Sequence, residues 1–170
     1  MNAEQAKIAA ETLCGLWEGE SRATVQVLEA VKGNRDYKPD AKSRSAWQIA
    51  THLATADMWF MDSIVSGAFQ FDAEAAKKAE ASFMDANQLA EFYRKTFPEK
   101  LKALRGLSGD QLAQPLSFFG MMEMPRVNFI GFANNHSVHH RGQLAAYLRA
   151  MGSKVPDIYG PSADSPNARG

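Results

Sequence analysis

The chain has 170 residues, enough for one domain with a single sizeable core. Apolar residues make up 45% and charged residues 22%, while 19 Lys and Arg balance 19 Asp and Glu, so no net field draws nucleic acid or an anionic membrane. The lone Cys14 excludes an internal disulfide, the polar N-terminus is no signal peptide, and no apolar run is long enough to span a bilayer, so a cytoplasmic location is expected.

Four segments carry helical periodicity. The first is predicted from about Ala3 to Val31, with Leu13, Trp17, Thr24, Val27 and Val31 on one stripe. Turn formers in "KGNRDYKPD" end it. The second is predicted from about Ser45 to Val65, with Ser43 or Ser45 able to cap its start and Gly67 able to follow its end. "AFQFDAEAAKKAEASFMD" reads as a polar, alanine-rich connection to a third helix from about Ala86 to Leu104, which Pro98 should kink or interrupt. A long link follows, with a short extended piece at "LSFFGMM". The fourth helix is expected to start near Pro125 and stop at Gly152, before an irregular tail rich in proline, glycine and serine. With no repeat and no internal boundary, residues 1–170 read as one all-α domain, a four-helix bundle with long inter-helix links.

Three of the four histidines fall in "NNHSVHHRGQLAAYLRAMG". Positions four or seven apart share a helix face, so Phe129, Phe132, His136, His140, Gln143 and Tyr147 lie on one side of the fourth helix. The phenylalanines turn that side inward. His136 and His140, on successive turns of a core face, are placed to bind one metal ion. On the second helix Ile49, His52, Ala56, Trp59 and Ser63 share a face, and the small Ala56 leaves room beside the His52 ring. If the two helices are neighbours, His52 completes three imidazoles. Three protein nitrogens leave coordination positions open, which marks a catalytic rather than a structural site. A histidine at a core position is more often satisfied by its neighbours, and it is the third inward histidine that favours metal. His139 could replace His140 as a ligand, act behind it or face solvent; His140 keeps closer to the stripe.

At these residues the chain resembles the DinB-like (DinB/YfiT) metalloenzymes. Their hallmark is a histidine on helix 2 and an H-x-x-x-H pair on helix 4, often followed by R-G-Q. "ATHLATAD" around His52, "HSVHHRGQLAAYLRAMG" and the ending "VPDIYGPSAD" carry the likeness. "NRDYKPDAKSRSAWQIATHLATADMWFMDSIVSG" adds to it, while residues 68–84 carry none. The resemblance implies an up–up–down–down bundle, usually dimeric, with a divalent ion on His52, His136 and His140. It also implies a possible reaction class, since some relatives are S-transferases or isomerases using mycothiol, bacillithiol or glutathione.

An ion on three histidines is a Lewis acid that lowers the pKa of bound water or thiol. Imidazoles suit zinc and nickel alike. Three functions therefore stand: a metal-dependent thiol S-transferase or hydrolase acting on a small molecule, a non-catalytic stress-response or ligand-binding module that keeps the metal for stability, and a helical interaction protein without metal. No catalytic base is evident. Trp59 and Tyr147 are pocket candidates, though core packing is the commoner role for both. Gln143 could orient a ligand or water. Glu20 sits on the apolar stripe of the first helix, where it could accept from a histidine or snorkel outward. Arg141, a quarter-turn from the ligands, suits a salt bridge or helix contact, and Cys14 reads as a small buried hydrophobe.

Overall fold

The computed structural model describes residues 1–166; the last four residues of the expected irregular tail lie outside them. Four long helices form the frame: α1 (Ala3–Glu29), α2 (Ala46–Ser66), α4 (Ala86–Arg105) and α6 (Asn128–Leu148). The links hold three further features, α3 (Ala73–Ala81), α5 (Gly109–Ala113) and a hairpin of β1 (Pro115–Phe118) with β2 (Met122–Pro125). No helix among the described residues is long and apolar enough to cross a membrane.

Local chemistry fixes the helix ends. Asn2 and Gln5 form a capping box at the start of α1, and Ser45 with Gln48 does the same for α2. Each box satisfies two otherwise orphaned backbone donors. Gly67 closes α2 in the left-handed region, at φ 79°, and a Cβ there would also meet the Arg126 guanidinium at 2.1 Å. The left-handed conformation demands glycine, while the Arg126 end is flexible enough to give way.

α1 and α2 lie diagonally: each packs against α4 and α6 instead of against the other. The 30–45 segment carries the chain across the end of the bundle between them. One apolar cluster joins all four long helices, with Trp17, Leu53, Met61, Leu89, Phe97, Phe129 and Leu144 fully buried. α2 is buried on nearly every side. This is the helix on which His52 sits.

Five sequence expectations need amendment. The alanine-rich connection holds a nine-residue helix, α3, capped by the Asp72 side chain, with none of its residues buried. Its amphipathic signal is too short to read against so many alanines. The extended piece at "LSFFGMM" pairs back as the antiparallel β1–β2 hairpin, Leu116 opposite Met124. α4 runs on through Pro98. α6 begins at Asn128, because Pro125 ends β2. Gly152, at φ 88°, closes the turns after α6 instead of capping the helix itself.

Candidate metal centre

α6 has no side-chain cap at its start. Its entry is held from outside: the Arg126 N–H donates to the Gln114 carbonyl at 2.8 Å and the Val127 N–H to the Leu112 carbonyl at 3.0 Å. The α5–hairpin unit therefore sets the rotation of α6. Phe129 is buried and Phe132 half-buried, so the stripe that continues through His136 and His140 turns toward α2.

There the three histidines meet. Ring centroids stand 5.4 Å apart for His52 and His136, 4.9 Å for His52 and His140, and 4.5 Å for His136 and His140. One ring nitrogen from each lies within 4.8 Å of the other two. Burial, reinforced by the Arg44 charge and then by the neighbouring rings, pushes the His52 pKa down to about 3. Burial pushes His136 down to about 4, with His140 and His139 adding to it. His140 is also lowered by burial, against the pull of Gln143. At neutral pH all three are neutral, so each offers a lone pair.

The surroundings treat the three rings differently. The Nδ1 atom of His140 lies 3.1 Å from Gln143 Oε1. The His52 Nδ1 atom lies 3.5 Å from Glu80 Oε1 of α3, and with a neutral ring this is no ion pair. The Nδ1 atom of His136 is buried with no hydrogen-bond partner among the described residues. Such an orphan is costly unless something else answers it. Three neutral imidazoles at this spacing, one with an unanswered nitrogen, form a group geometrically able to hold one divalent ion.

His139 points to solvent, with its ring 4.9 Å from His140, and is not part of the group. Gln143, suited by position to orient a ligand or water or to cap a polar corner, touches His140. Trp59 lines a cavity of about 770 Å³ beside the histidines, into which His52 and His136 open. Tyr147 does not reach it: the ring packs edge-on against Tyr37 at 5.5 Å in the core. Glu20 touches no histidine. It accepts from Arg141 at 2.5 Å and from the Tyr159 hydroxyl at 2.7 Å, and Arg141 also donates to Tyr159 and to the Glu20 carbonyl. Burial holds the Cys14 thiol up at about 11, far from a nucleophilic thiolate.

Three residues near the site have no counterpart in the sequence reading. Glu80 arrives with α3. Arg44, just before α2, lines the cavity close enough for His52, His136, His140 and Glu80 all to feel its charge. Asp57 lies wholly inside the bundle, accepting from Tyr93 at 2.7 Å and Ser137 at 2.9 Å. A carboxylate inside the apolar run "ATADMWFM" was the available signal for it.

Comparison with known proteins converges on one family. The sequence profile of the DinB family matches residues 2–169. Two proteins of Bacillus subtilis strain 168 are similar over most of the chain. YrdA is 29% identical over 152 residues, 87% of this chain and 86% of that protein, and YjoA is 34% identical over 133 residues, 75% and 80%. Both are described as uncharacterized. Crystal structures of DinB-like proteins share the fold. YjoA of Bacillus subtilis superposes with a TM-score of 0.67 at 23% identity, covering 89% of this chain and 99% of that one. A protein of Bacillus cereus ATCC 10987 gives 0.70 at 24% identity, covering 88% and 97%. With the profile spanning nearly every residue and these relatives agreeing in fold, the chain belongs to the DinB family.

Proposed function

We propose that the protein is a metal-dependent enzyme of the cytoplasm acting on a small molecule, of thiol S-transferase or hydrolase type, with zinc or nickel held by His52, His136 and His140. The observation that carries this reading is the coincidence of three neutral, clustered imidazoles with a cavity of ligand size beside them. A divalent ion held there supplies Lewis acidity, lowering the pKa of a bound water or low-molecular-weight thiol. The chain's own residues do the rest. Gln143 holds Nδ1 of His140, which leaves Nε2 as the free nitrogen of that ring. Glu80 stands in the same relation to His52. Trp59, Phe60, Phe118 and Phe132 make the cavity walls apolar and exclude water from a bound molecule.

Protein purified without chelator is expected to carry about one zinc or nickel ion per chain, as a three-ligand site implies. A content far below that, even after both metals are added back, overturns the reading. Turnover with electrophiles and thiols separates an enzyme from a stress-response or ligand-binding module that keeps its metal for stability. In cobalt-substituted protein, a sulfur-to-metal charge-transfer band on adding glutathione, bacillithiol or mycothiol selects the transferase, and its absence with all three selects against it. A second copy of the chain is the proposed protein partner, supported by Ile8 and Leu16 of α1, which stay 63% and 57% exposed. Light scattering that finds a monomer at tens of micromolar excludes it.

A further inference from the structure

We infer that the cavity beside the histidines selects amphipathic anions: molecules with an aromatic or extended apolar body and a carboxylate-like head group held by Arg44. The inference takes the cavity as the substrate site proposed above and adds the class of compound it accepts.

The shape comes first. The lining residues of α2 run from His52 to Asp62, about 15 Å along the helix axis. α3 lies alongside in the opposite sense. The Gln70 carbonyl before its start accepts from the Trp59 indole at 2.8 Å, while Glu80 near its end stands beside His52. The cavity is therefore a slot with two unlike parts. Around His52 it meets Arg44, His136 and Glu80; further along α2 it meets Trp59 and Phe71. At about 770 Å³ it has the size of a small-molecule site, too small for a folded partner.

Charge decides the head group. Five ionisable side chains besides the histidines line the slot: Arg44, Lys77, Asp62, Asp72 and Glu80. Two of the three carboxylates are engaged. Asp62 pairs with Lys100 at 2.6 Å, Asp72 accepts from the Glu74 and Ala75 N–H groups at 3.0 Å, and Glu80 stands against His52. Arg44 and Lys77 have no hydrogen bond or ion pair among the described residues. Glu80 lies within reach of the Arg44 charge but makes no hydrogen bond or ion pair with it, so the Arg44 donors are free at the histidine end of the slot. A guanidinium there can take both oxygens of a carboxylate, while the apolar body lies on the aromatic walls. A ligand held this way presents the atoms next to its head group to the histidines.

The test uses the full-length protein stripped of metal, so that a carboxylate cannot bind through an ion. Phenylbutanoate, phenylbutanol and phenylbutylamine share one body and differ in head group. Their dissociation constants are measured by tryptophan fluorescence and ligand-observed NMR. Phenylbutanoate should bind at least about tenfold more tightly than the other two, the margin of one charge-assisted contact. Arg44→Gln should bring it to the level of phenylbutanol. Trp59→Ala should weaken all three without changing their order, in protein whose helicity is shown intact by circular dichroism. Equal binding of the three probes, tighter binding of the amine, no saturable binding of any, or a preference that survives Arg44→Gln overturns the inference. Metal content of the same preparation keeps the two readings apart. Anion selection without metal binding sinks the enzyme, and metal binding without anion selection sinks only the substrate class.

Discussion

Two polar clusters sit in this bundle on the same pair of helices, and they have opposite fates. Asp57 of α2 accepts through Oδ2 from Tyr93 of α4 and Ser137 of α6, while its buried Oδ1 has no hydrogen-bond partner among the described residues. His52 and His136, five positions before Asp57 and one before Ser137, belong to a group that leaves a buried ring nitrogen unanswered and opens to a cavity. Five residues turn α2 through roughly 140°, enough to send one polar group into the bundle and the other toward the slot. The lesson is a criterion: each cluster leaves one buried atom unanswered, so an orphan alone marks no site, and what sets the histidines apart is the cavity onto which they open.

The strongest way to break this contrast is to remove the three histidines one at a time. His52→Ala, His136→Ala and His140→Ala should each weaken zinc or nickel by more than the ~100-fold that loss of an outer partner costs, read by competition with a chelator. His139→Ala should leave affinity within a few-fold, and a large loss there with none at His140 would reassign the ligand. The converse experiment concerns stability. Asp57→Ala should cost about 2 kcal/mol in denaturant unfolding, because Tyr93 and Ser137 lose their acceptor. His136→Leu in metal-free protein should unfold no earlier than the parent, since it removes a buried nitrogen that lacks a partner. If the two swap behaviour, the criterion fails.

A smaller effect lies in pH. Burial, opposed by Tyr93, Ser137 and then Trp17, raises the Asp57 carboxyl to about 7. Unfolded, it titrates near 4 as other aspartates do. Between about pH 4 and 7 the native state therefore holds a proton that the unfolded state has released, so this group's contribution to stability is full at low pH and lost as pH rises through 7. Asp57→Asn should remove up to ~1.4 kcal/mol per pH unit of that slope, measured as the difference between parent and variant. Identical pH profiles would show that the carboxyl is ionised in the fold. Smallest of all, Gln143→Ala should weaken the metal by about tenfold with no change in unfolding, through the freed His140 ring.

How far the sequence could be read follows the same division. The histidine group was legible because it rests on short-range geometry: a four-residue spacing, one apolar stripe and a chain with few other histidines. The four long helices were legible for the same reason, and of the two serines able to cap the second, 43 and 45, the structure uses Ser45. Asp57 was not singled out, because its partners come from α4 and α6, 36 and 80 residues away. Glu80 stayed hidden because α3 lacks a buried face, and without that helix nothing brings the segment back to His52. Glu20 was noticed as an anomaly on its helix and Arg141 as suited to a salt bridge or helix contact, which it makes. Only the packing of α1 against α6 shows that they answer one another, with Tyr159 of the tail as the third member.

α3 has one more consequence. Its alanines at 73, 75, 76 and 79 form part of the slot, yet no residue of the helix is buried in the core. A larger side chain at 76 or 79 takes room from the 770 Å³ without disturbing the packing that keeps the bundle folded. Most scaffolds must tune what they accept with residues that also hold them together. Met58 and Phe60 of α2 do both, but α3 carries only the first task, so the room in the slot can change through its nine residues while the four long helices stay as they are.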